Sequence, residues 1–178
     1  MGRIDYDIIC DSYDELYRCE QFVKYSAALS YLQGLNDLIL DIGCGTGLFY
    51  DYLSDRISIS RFEYFGVDKS FRMLEKAKEK SCLNIHLIMA CAEFMPFRNH
   101  VFSYIFSFTV FHEVDMGRAL REVSRLGLRG CYVVISIFKK VKAKDFELLS
   151  MCKRYGVELV EKIDEENLKD FIFVFRVR

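Results

Sequence analysis

Short apolar runs alternate with amphipathic stretches along most of the chain, and this alternation constrains the fold more than any other feature. Each run has the length of one buried strand, and most of the stretches between runs carry apolar residues at helical spacing. Such alternation is typical of a parallel sheet that is covered by helices. It predicts seven strands, at residues 38–41, 64–67, 85–90, 102–108, 131–138, 157–163 and 171–177.

The last two predicted strands lie too close together in sequence to have a crossover helix between them. A polar segment that includes residues 164–167 separates them. Strands joined in this way pair antiparallel, whereas strands joined by a helix run parallel. The sequence therefore predicts an α/β fold with a seven-stranded sheet, made of five parallel strands plus a C-terminal antiparallel pair, with helices on both faces.

Apolar spacing also predicts the helices. In the N-terminal segment apolar side chains recur at helical spacing until Gly34 ends the pattern: Phe22, Tyr25, Leu29 and Leu32. Further helices are predicted at 48–53, from an N-cap at Ser70 to about Lys80, across 116–123 and around 145–155. A length of 178 residues fits one domain, in which we expect a helical lid or cap segment at 1–35 and a core at 36–178.

Composition and charge limit the kinds of partner and the cellular compartment that we expect for the chain. The formal net charge of −1 gives no overall field that would call for nucleic acid or membranes. No apolar window approaches the ~20 residues needed to span a bilayer, and the first residues lack the pattern of a signal peptide. The seven cysteines form no Cys-x-x-Cys pair, so we expect reduced thiols, no metal site and a soluble cytoplasmic protein.

A glycine-rich segment, Asp41-Ile42-Gly43-Cys44-Gly45-Thr46-Gly47, lies between the first predicted strand and the helix after it. Its glycines permit a tight turn and let a ligand approach bare backbone. The start of the following helix offers free N–H groups to a carboxylate or a phosphate. Asp41 stands directly before the loop, where its carboxylate would repel a pyrophosphate but would suit a ligand amino group.

Asp68 is a second acidic candidate for the same ligand. It ends the second predicted strand, 21 residues after Gly47, where an acidic residue can accept hydrogen bonds from ribose hydroxyls. The alternative is that it caps the next helix, but Ser70 already explains that cap. The glycines at 43, 45 and 47 do not match Gly-x-Gly-x-x-Gly, which argues against a nicotinamide oxidoreductase.

Segment 41–47 resembles motif I of the class I S-adenosylmethionine-dependent methyltransferases, which have a Rossmann-like fold. The likeness extends to Asp68, to Cys91-Ala92-Glu93-Phe94-Met95-Pro96-Phe97 and to the segment after the fourth strand, and it covers nearly the whole chain. It implies an enzyme that uses S-adenosyl-L-methionine as its cofactor and transfers the methyl group to an acceptor.

The resemblance also implies the residues of the cofactor site. Asp41 and the 43–47 loop would hold the methionine end, and Asp68 would bind the ribose hydroxyls. Lys69 would flank the adenine, and Phe108 would face the sulfonium. In full, the implied cofactor residues are Asp41, Gly43, Cys44, Gly45, Thr46, Gly47, Asp68, Lys69, Ala92, Glu93 and Phe108, with Ala92 and Glu93 beside the adenine ring.

The chain departs from the family's pattern at two positions. Cys91 stands where members often have an Asp that bonds the adenine amino group, so that contact is not expected here. Ser103 stands where members often have an Asp, a change that affects sheet packing more than chemistry. The Asn/Asp-Pro-Pro-Tyr segment is missing at 107–110, which argues against methylation of adenine N6 or of glutamine.

Catalytic candidates lie in the loop after the fourth strand and in the N-terminal segment. A sulfonium is an excellent leaving group, so the enzyme mainly aligns the acceptor, and a base is needed only if the acceptor must lose a proton. His112 is the best candidate for that base, with Glu113 beside it; the alternative is a structural histidine. Segment 12–17 resembles the lid of small-molecule-type members, which would place Tyr13 over the cofactor; the alternative is a surface helix.

Two features point to partners. Arg118, Arg121 and Arg125 share one face of a predicted helix, and they either contact RNA phosphates or form a solvated face. The third strand, Ile85–Ala90, should lie at the sheet edge with no charge or proline to protect it. A small activator subunit, similar to the one that some minimal methyltransferases of the translation machinery use, would pair with this edge; the alternative is cover by the N-terminal helices.

The expected function follows from a fold with few additions. No long insertion after the fifth strand encloses the site, and an open site favours a large acceptor. RNA or protein of the translation machinery is therefore favoured over a small metabolite, while the acceptor itself is not identified. The alternative function is a cofactor-binding, non-catalytic subunit that regulates or stabilises a partner protein.

Overall fold

The structure, a computed structural model, describes residues 6–30, 37–80 and 84–178. The strands in these ranges are β1 (Asp37–Ile42), β2 (Phe62–Asp68), β3 (Ile85–Met89), β4 (Phe102–Phe108), β5 (Gly127–Phe138), β6 (Val157–Ile163) and β7 (Asp170–Val177). The helices are α1 (Tyr6–Ile9), α2 (Tyr13–Leu29), α3 (Leu48–Ser54), α4 (Phe71–Glu79), α5 (Met116–Leu126) and α6 (Lys142–Arg154).

The strands form one sheet in the order β3-β2-β1-β4-β5-β7-β6. The first five strands pair in parallel, while β7 lies antiparallel between β5 and β6. This topology confirms the predicted α/β fold and its Rossmann-like, seven-stranded sheet. After β1 the chain adds β2 and then β3 on one side of β1, and it then crosses over to add β4 and β5 on the other side. The strand order therefore reverses between β1 and β4.

Each face of the sheet carries its own hydrophobic cluster, because successive side chains of a strand point to opposite faces. Ile39 belongs to the cluster beneath α2 and α3, and its neighbour Leu40 belongs to the cluster beneath α5 and α6. Helix α5 buries the apolar face that its spacing predicts: Met116, Ala119, Leu120 and Val123. Ser70 caps α4 as predicted, since its Oγ accepts a hydrogen bond from the N–H of Met73 at 3.1 Å.

Two boundaries differ from those expected. Strand β5 begins at Gly127 rather than at residue 131, because Gly127 pairs with Phe102 and a left-handed φ of 82° at Gly130 lets the strand continue. Residues 127–130, Gly-Leu-Arg-Gly, are typical of a turn, so the sequence did not predict that β5 begins there. Helix α2 ends at Leu29, and the predicted continuation to residue 34 and the boundary at 35/36 lie outside the described residues.

The N-terminal helices lie across the carboxyl edge of the sheet. Asp14, in the first turn of α2, pairs with Lys80 at 2.7 Å, and Glu20 pairs with Lys169 at 2.5 Å, just before β7. None of the helices in ranges 6–30, 37–80 and 84–178 is long and apolar enough to span a bilayer.

Candidate active site

The carboxyl ends of the parallel strands meet at one edge, and the strand order reverses there between β1 and β4. Open α/β sheets bind ligands in the crevice at such a point. We call one side the glycine-loop half, formed by Asp41, residues 43–47 and Asp68. We call the other side the β4-loop half, formed by residues 109–113 and by the side chains that hold them.

Two glycines of the 43–47 loop have different spatial reasons to lack a side chain. Gly43 has φ 76°, and a Cβ there would lie 2.2 Å from Cγ2 of Val110, so the loop could not pack beside β4. Gly45 has φ 54°, and a Cβ there would meet nothing closer than Sδ of Met73 at 4.0 Å. Open space above the Gly45 backbone therefore lets a ligand approach it closely.

Asp68 faces this loop from the end of β2. Its Oδ2 accepts a hydrogen bond from the N–H of Gly45 at 2.9 Å, and its Oδ1 accepts one from the N–H of Ser70 at 2.8 Å. Burial raises the pKa of the Asp68 carboxyl, and these backbone bonds oppose the rise. Each oxygen has lone-pair capacity for another donor, which is what two neighbouring ribose hydroxyls require.

Asp41 is 3% exposed, and its carboxylate accepts a hydrogen bond from the hydroxyl of Tyr64. Burial raises the pKa of Asp41 to about 7; the bond from Tyr64 opposes this rise, and nearby Asp68 adds to it. A cation beside such a carboxyl favours its ionised form. Asp41 is therefore suited to a ligand that brings an ammonium group.

The hydrogen-bonding groups of the glycine-loop half fit S-adenosylmethionine. That molecule carries an ammonium group and a pair of ribose hydroxyls, which match the buried Asp41 and the partly buried Asp68. Bare backbone at Gly45 lies in hydrogen-bond contact with Asp68. Among the residues that the structure describes, no group of three or more His, Cys, Asp or Glu could hold a metal ion.

Two side chains of the loop hold it in place and are turned away from the crevice. Cys44 is buried against Gly66, where a Cβ would come within 2.8 Å of its Sγ, and its N–H donates to the carbonyl of Val67 at 3.0 Å. Thr46 Oγ1 donates to Asp14 Oδ1 at 2.5 Å and so ties the loop to α2. Cys44 and Thr46 can therefore serve a ligand through their backbone alone.

The residues expected beside the adenine lie after β2 and β3. Nζ of Lys69 lies 3.9 Å from Oε2 of Glu113, and Ala92 is buried. The carboxylate of Glu93 accepts a hydrogen bond from the N–H of Asp115 at 2.9 Å, just before α5. Glu93 therefore has a structural bond, and the contact of these three residues with an adenine stays a prediction.

The structure corrects the role expected of Phe108. Its side chain is 8% exposed, and its ring packs against Tyr25 and Phe49, with centroids 4.7 and 5.1 Å apart. Alternation along β4 turns this ring towards α2 and α3 rather than into the crevice. The backbone of Phe108 stands at the end of β4, but its ring packs beneath α2 and α3 instead of lining the open crevice.

Aromatic side chains of the N-terminal helices cover the crevice. The rings of Tyr13 and Tyr17 lie 4.9 Å apart, and the hydroxyl of Tyr6 donates to Oε1 of Glu113 at 3.1 Å. Burial raises the pKa of the Tyr13 phenol far above its usual value, and Asp68 is one of the nearby groups that add to the rise. The Tyr13 phenol therefore stays protonated and lies near Asp68, and its role as a lid over the cofactor stays a prediction.

A buried network holds the first residue of the β4 loop, Thr109, whose φ of 65° is unusual for a β-branched residue. The Thr109 N–H donates to Oγ of Ser136 at 2.9 Å, and its Oγ1 bonds Nζ of Lys24 at 2.7 Å and Oδ2 of Asp170 at 3.1 Å. Lys24 and Asp170 pair at 2.8 Å with side chains 1% and 0% exposed. We call Lys24, Thr109, Ser136 and Asp170 the buried network.

His112 lies next to this network. Its side chain is 13% exposed, and its Nε2 is 3.8 Å from Oε1 of Glu113, beyond hydrogen-bond distance. Burial lowers the pKa of the His112 imidazole, while Glu113 and Asp170 oppose that effect. The imidazole is therefore neutral at neutral pH and can accept a proton, which suits the base expected there. Its catalytic role stays a prediction.

The structure also corrects the expectation that Arg125 contacts RNA. Its guanidinium donates to both carboxylate oxygens of Glu122, to the carbonyls of Met95 and Phe97 and to Oδ1 of Asn99. These bonds use all five N–H donors of an arginine, so Arg125 fixes the segment before β4. Its neighbours on the helix are exposed: Arg118, which pairs with Asp115 at 3.4 Å, and Arg121.

Strand β3 lies at one edge of the sheet, as its sequence predicts. It pairs with β2 on one side, and no described strand or helix lies along its other side. His86 stacks on Phe65 and bonds Glu63 at 2.8 Å, while Met89 is 63% exposed. The described part of α1 and α2 contacts α4, α3 and β7 instead, so these helices do not cover the edge.

Comparison with known proteins identifies the family. Residues 39–129, slightly more than half of the chain, match the family described as "Methyltransferase domain". The chain therefore belongs to the class I S-adenosylmethionine-dependent methyltransferases, whose cofactor is S-adenosylmethionine.

Individual relatives carry different names. Uncharacterized protein MJ1252 of Methanocaldococcus jannaschii is 31% identical, with 92% of this chain and 66% of that protein covered. Malonyl-[acyl-carrier protein] O-methyltransferase of Legionella pneumophila is 29% identical, with 71% of this chain and 46% of that protein covered. The chain thus spans from under half to about two thirds of the length of these relatives.

Solved structures match almost the full length of the chain at low identity. A S-adenosylmethionine-dependent methyltransferase from Aquifex aeolicus superposes with a TM-score of 0.82 at 20% identity, covering 99% of this chain and 100% of that one. A chain from the complex between the Haloferax volcanii Trm112 methyltransferase activator and a protein assigned as a methyltransferase gives 0.81 at 15% identity, covering 99% of both chains. These likenesses establish the shared fold.

Some residues of the crevice carry no motif and were missed in the sequence. Tyr64 lies within an apolar run and is easily taken for an ordinary core residue of the strand. Asp170 directly precedes an apolar run and is easily taken for the last residue of a loop. Lys24 interrupts an apolar helical pattern and would ordinarily be assigned to the solvent. Tyr6 lies in a helix of four residues, too short to give a periodic signal.

Proposed function

We propose that this chain is an active methyltransferase that transfers the methyl group of S-adenosylmethionine, in line, to a nucleophile on an acceptor molecule. The observation that carries the proposal is that buried Asp41, at the end of β1, and Asp68, bonded to the open Gly45 backbone, lie at the same edge of the sheet. Ammonium and vicinal hydroxyl groups are what these carboxylates recognise best. The family to which the chain belongs supports the same conclusion.

The residues of the crevice have few chemical tasks. The bound cofactor supplies a sulfonium methyl group, which is already activated for transfer. Asp41 holds its methionine end and Asp68 its ribose, and the lid residues Tyr13 and Tyr17 exclude water. Neutral His112 takes a proton from an acceptor that must lose one, which contributes roughly 10²–10⁴-fold where it applies. Alignment of acceptor and methyl provides the larger share.

RNA or protein of the translation machinery is the acceptor that we favour over a small metabolite. Exposed Arg118 and Arg121 support contact with a phosphate backbone, and the described residues between β5 and β6 contain α6 and no long insertion that would close the crevice. The relatives do not decide the acceptor, since they include proteins named malonyl-[acyl-carrier protein] O-methyltransferase and demethylmenaquinone methyltransferase.

A transfer assay tests this proposal against the alternative of a non-catalytic, cofactor-binding subunit. Purified chain is incubated with methyl-labelled S-adenosylmethionine and, separately, with RNA, protein and metabolite fractions that have been stripped of existing methyl groups. Label in one fraction, lost in Asp68→Ala, supports an enzyme and names the acceptor class. Binding of cofactor without label in any fraction, with and without copurified partners, supports the non-catalytic subunit.

We also propose that a small activator subunit adds a strand to β3. The edge of β3 is open in the described residues, and the chain shares its fold with a protein that was solved together with an activator. Exposed edges without charge or proline invite such pairing. The Ala90 N–H donates to the backbone carbonyl of Asp68 on β2 at 3.1 Å, so by alternation the N–H of Met89 points outwards.

Met89 therefore offers a sharp test of the edge. Met89→Pro removes the outward N–H from an exposed position without touching the β2 ladder, while Met89→Thr keeps that N–H. Copurification from a host that supplies the partner should lose it in Met89→Pro and retain it in Met89→Thr. A stable wild-type monomer in light scattering, with no partner recovered, would count against an obligate subunit.

A further inference from the structure

The buried network joins the lid helix α2 to the loop after β4, and none of the chemistry above makes use of it. Lys24 comes from α2, Thr109 follows β4, Ser136 lies in β5 and Asp170 opens β7. Four segments that are far apart in sequence thus converge on one polar point inside the crevice wall. Such convergence needs an explanation, because a buried ion pair is weak evidence for stability by itself.

Apolar residues of similar volume would often stabilise such a position equally well, so the network is better understood through the geometry it imposes. Thr109 is held in the left-handed region by three bonds, two from its hydroxyl and one from its N–H. Ser136 also donates to Asp170 at 2.8 Å. Each member of the network contacts at least two others, which leaves Thr109 a single orientation.

The buried network and the candidate base, His112, both lie beside the ring of Phe138. Nζ of Lys24 lies 5.8 Å from the centroid of the Phe138 ring, and the ring of His112 lies 5.1 Å from the same centroid. Between Thr109 and His112 the chain makes one turn, which is closed by the bond from the Glu113 N–H to the Val110 carbonyl at 2.8 Å. The direction in which Thr109 leaves β4 therefore sets where His112 and Glu113 lie.

We propose that Lys24 and Asp170 are positioning residues that fix residues 109–113, through Thr109, so that His112 and Glu113 face the crevice. This rests on the proposed function only in assigning that loop to the acceptor side. It also couples α2 to the loop, because Lys24 cannot leave Asp170 without breaking its own hydrogen bond to Thr109. An acceptor that displaces the lid would thus disturb the candidate base as well.

The double variant Lys24→Met/Asp170→Leu tests the proposal, because it removes both charges and leaves neither one buried alone. The probe is amide hydrogen exchange of residues 109–113, followed by NMR on the full chain without cofactor. We expect a melting temperature within about 5 °C of wild type. The loop amides should nevertheless exchange about tenfold faster, since Thr109 has lost its side-chain partners.

The pair Glu20 and Lys169 provides a matched control. It joins the same helix to the residue directly before Asp170, but at the surface, with side chains 22% and 69% exposed. Glu20→Gln/Lys169→Met should leave both melting temperature and loop exchange at wild-type values. Wild-type loop exchange in the buried double variant would overturn the proposal, because the pair would then serve stability alone.

Thr109→Val keeps the test decisive if the double variant does not fold. It removes the hydroxyl through which Lys24 and Asp170 hold the loop, keeps the β-branched shape and leaves the Lys24–Asp170 pair intact. Faster exchange at residues 110–113 would support the proposal, and unchanged exchange would overturn it. Because no cofactor is present, these results are independent of whether the wild type binds S-adenosylmethionine, so failure of the proposed function would be recognised separately.

Discussion

The glycine-loop half of the crevice is built from residues that are close in sequence and act largely through backbone, whereas the β4-loop half draws side chains from distant segments. In the first, Asp68 bonds the N–H groups of Gly45 and Ser70. In the second, Thr109 depends on Lys24 from α2 and on Asp170 from β7. The two halves meet between β1 and β4, where the strand order reverses.

This difference teaches which properties can change independently. A backbone cradle with two carboxylates sets the affinity for one cofactor. Of the bonds described above, one from Asp14 ties this cradle to α2, and none comes from β7. Residues 109–113 are held by a buried ion pair, and their position can change without any change in that cradle. Substitutions in the glycine-loop half should therefore change cofactor affinity, and those in the β4-loop half should not.

Asp68→Ala is expected to have the largest effect on cofactor affinity. It removes two hydrogen bonds to a charged group, each worth about 1.5–3 kcal/mol, so affinity should fall by roughly 10²–10⁴-fold. The measurement is the rise in melting temperature that saturating S-adenosylmethionine produces, which should disappear. Glu63→Ala is the matched control on the same strand, since Glu63 is exposed and its carboxylate bonds His86, away from the glycine loop. A full thermal shift in Asp68→Ala would contradict the assignment.

Asp41→Asn should weaken cofactor binding by about tenfold or more and yet stabilise the unliganded chain. Because the pKa of Asp41 rises from 3.8 to about 7 on folding, the folded state binds the proton more tightly, and wild type loses stability as pH rises through that interval. Asn removes this penalty, worth about 4 kcal/mol at pH 8. Urea titrations at pH 5 and pH 8 measure it. Equal pH dependence in both proteins would show that Asp41 is not responsible.

Gly45→Ala and Gly130→Ala form a pair that separates backbone strain from ligand contact. Both glycines have left-handed φ, 54° and 82°, and a Cβ at either would meet no atom closer than 4.0 Å. Each substitution should cost about 1 kcal/mol in the free energy of unfolding. Only Gly45→Ala should lower cofactor affinity, by about tenfold, because its methyl group occupies the ligand's approach. Equal affinities in titration calorimetry would argue against a ligand above Gly45.

His112→Asn should leave cofactor affinity within about twofold of wild type, since His112 belongs to the other half. With an acceptor that must lose a proton, turnover should fall by roughly 10²–10⁴-fold. His86→Asn on the β3 edge is the control and should affect neither quantity. A large loss of cofactor affinity in His112→Asn would mean that the two halves are not separable.

The sequence predicted the fold and the glycine-loop half well because their signals are local. Alternating apolar runs define β1 to β7, and the segment 41–47 with Asp68 contains the whole cradle within one βαβ unit. Even here the pattern could not tell that Cys44 and Thr46 turn their side chains away, because side-chain direction depends on packing against Gly66 and Asp14.

The β4-loop half was less predictable for the opposite reason. Lys24 and Asp170 acquire meaning only when α2 lies across β7, and a single sequence does not show which charged residues become buried together. Phe108 was misassigned since its ring follows the alternation of β4 into the core. Arg125 was misassigned because its partners, the carbonyls of Met95 and Phe97, belong to backbone that sequence patterns do not locate.

The central claim is that Asp41 and Asp68 together make a site for S-adenosylmethionine, and titration calorimetry tests it most directly. Wild type, the Asp41→Ala/Asp68→Ala double variant and Glu63→Ala are each titrated with S-adenosylmethionine and with a nicotinamide dinucleotide. We predict one saturable, micromolar site for S-adenosylmethionine in wild type and Glu63→Ala, none in the double variant, and no binding of the dinucleotide. Wild-type affinity in the double variant, or binding of the dinucleotide in place of S-adenosylmethionine, would contradict the account.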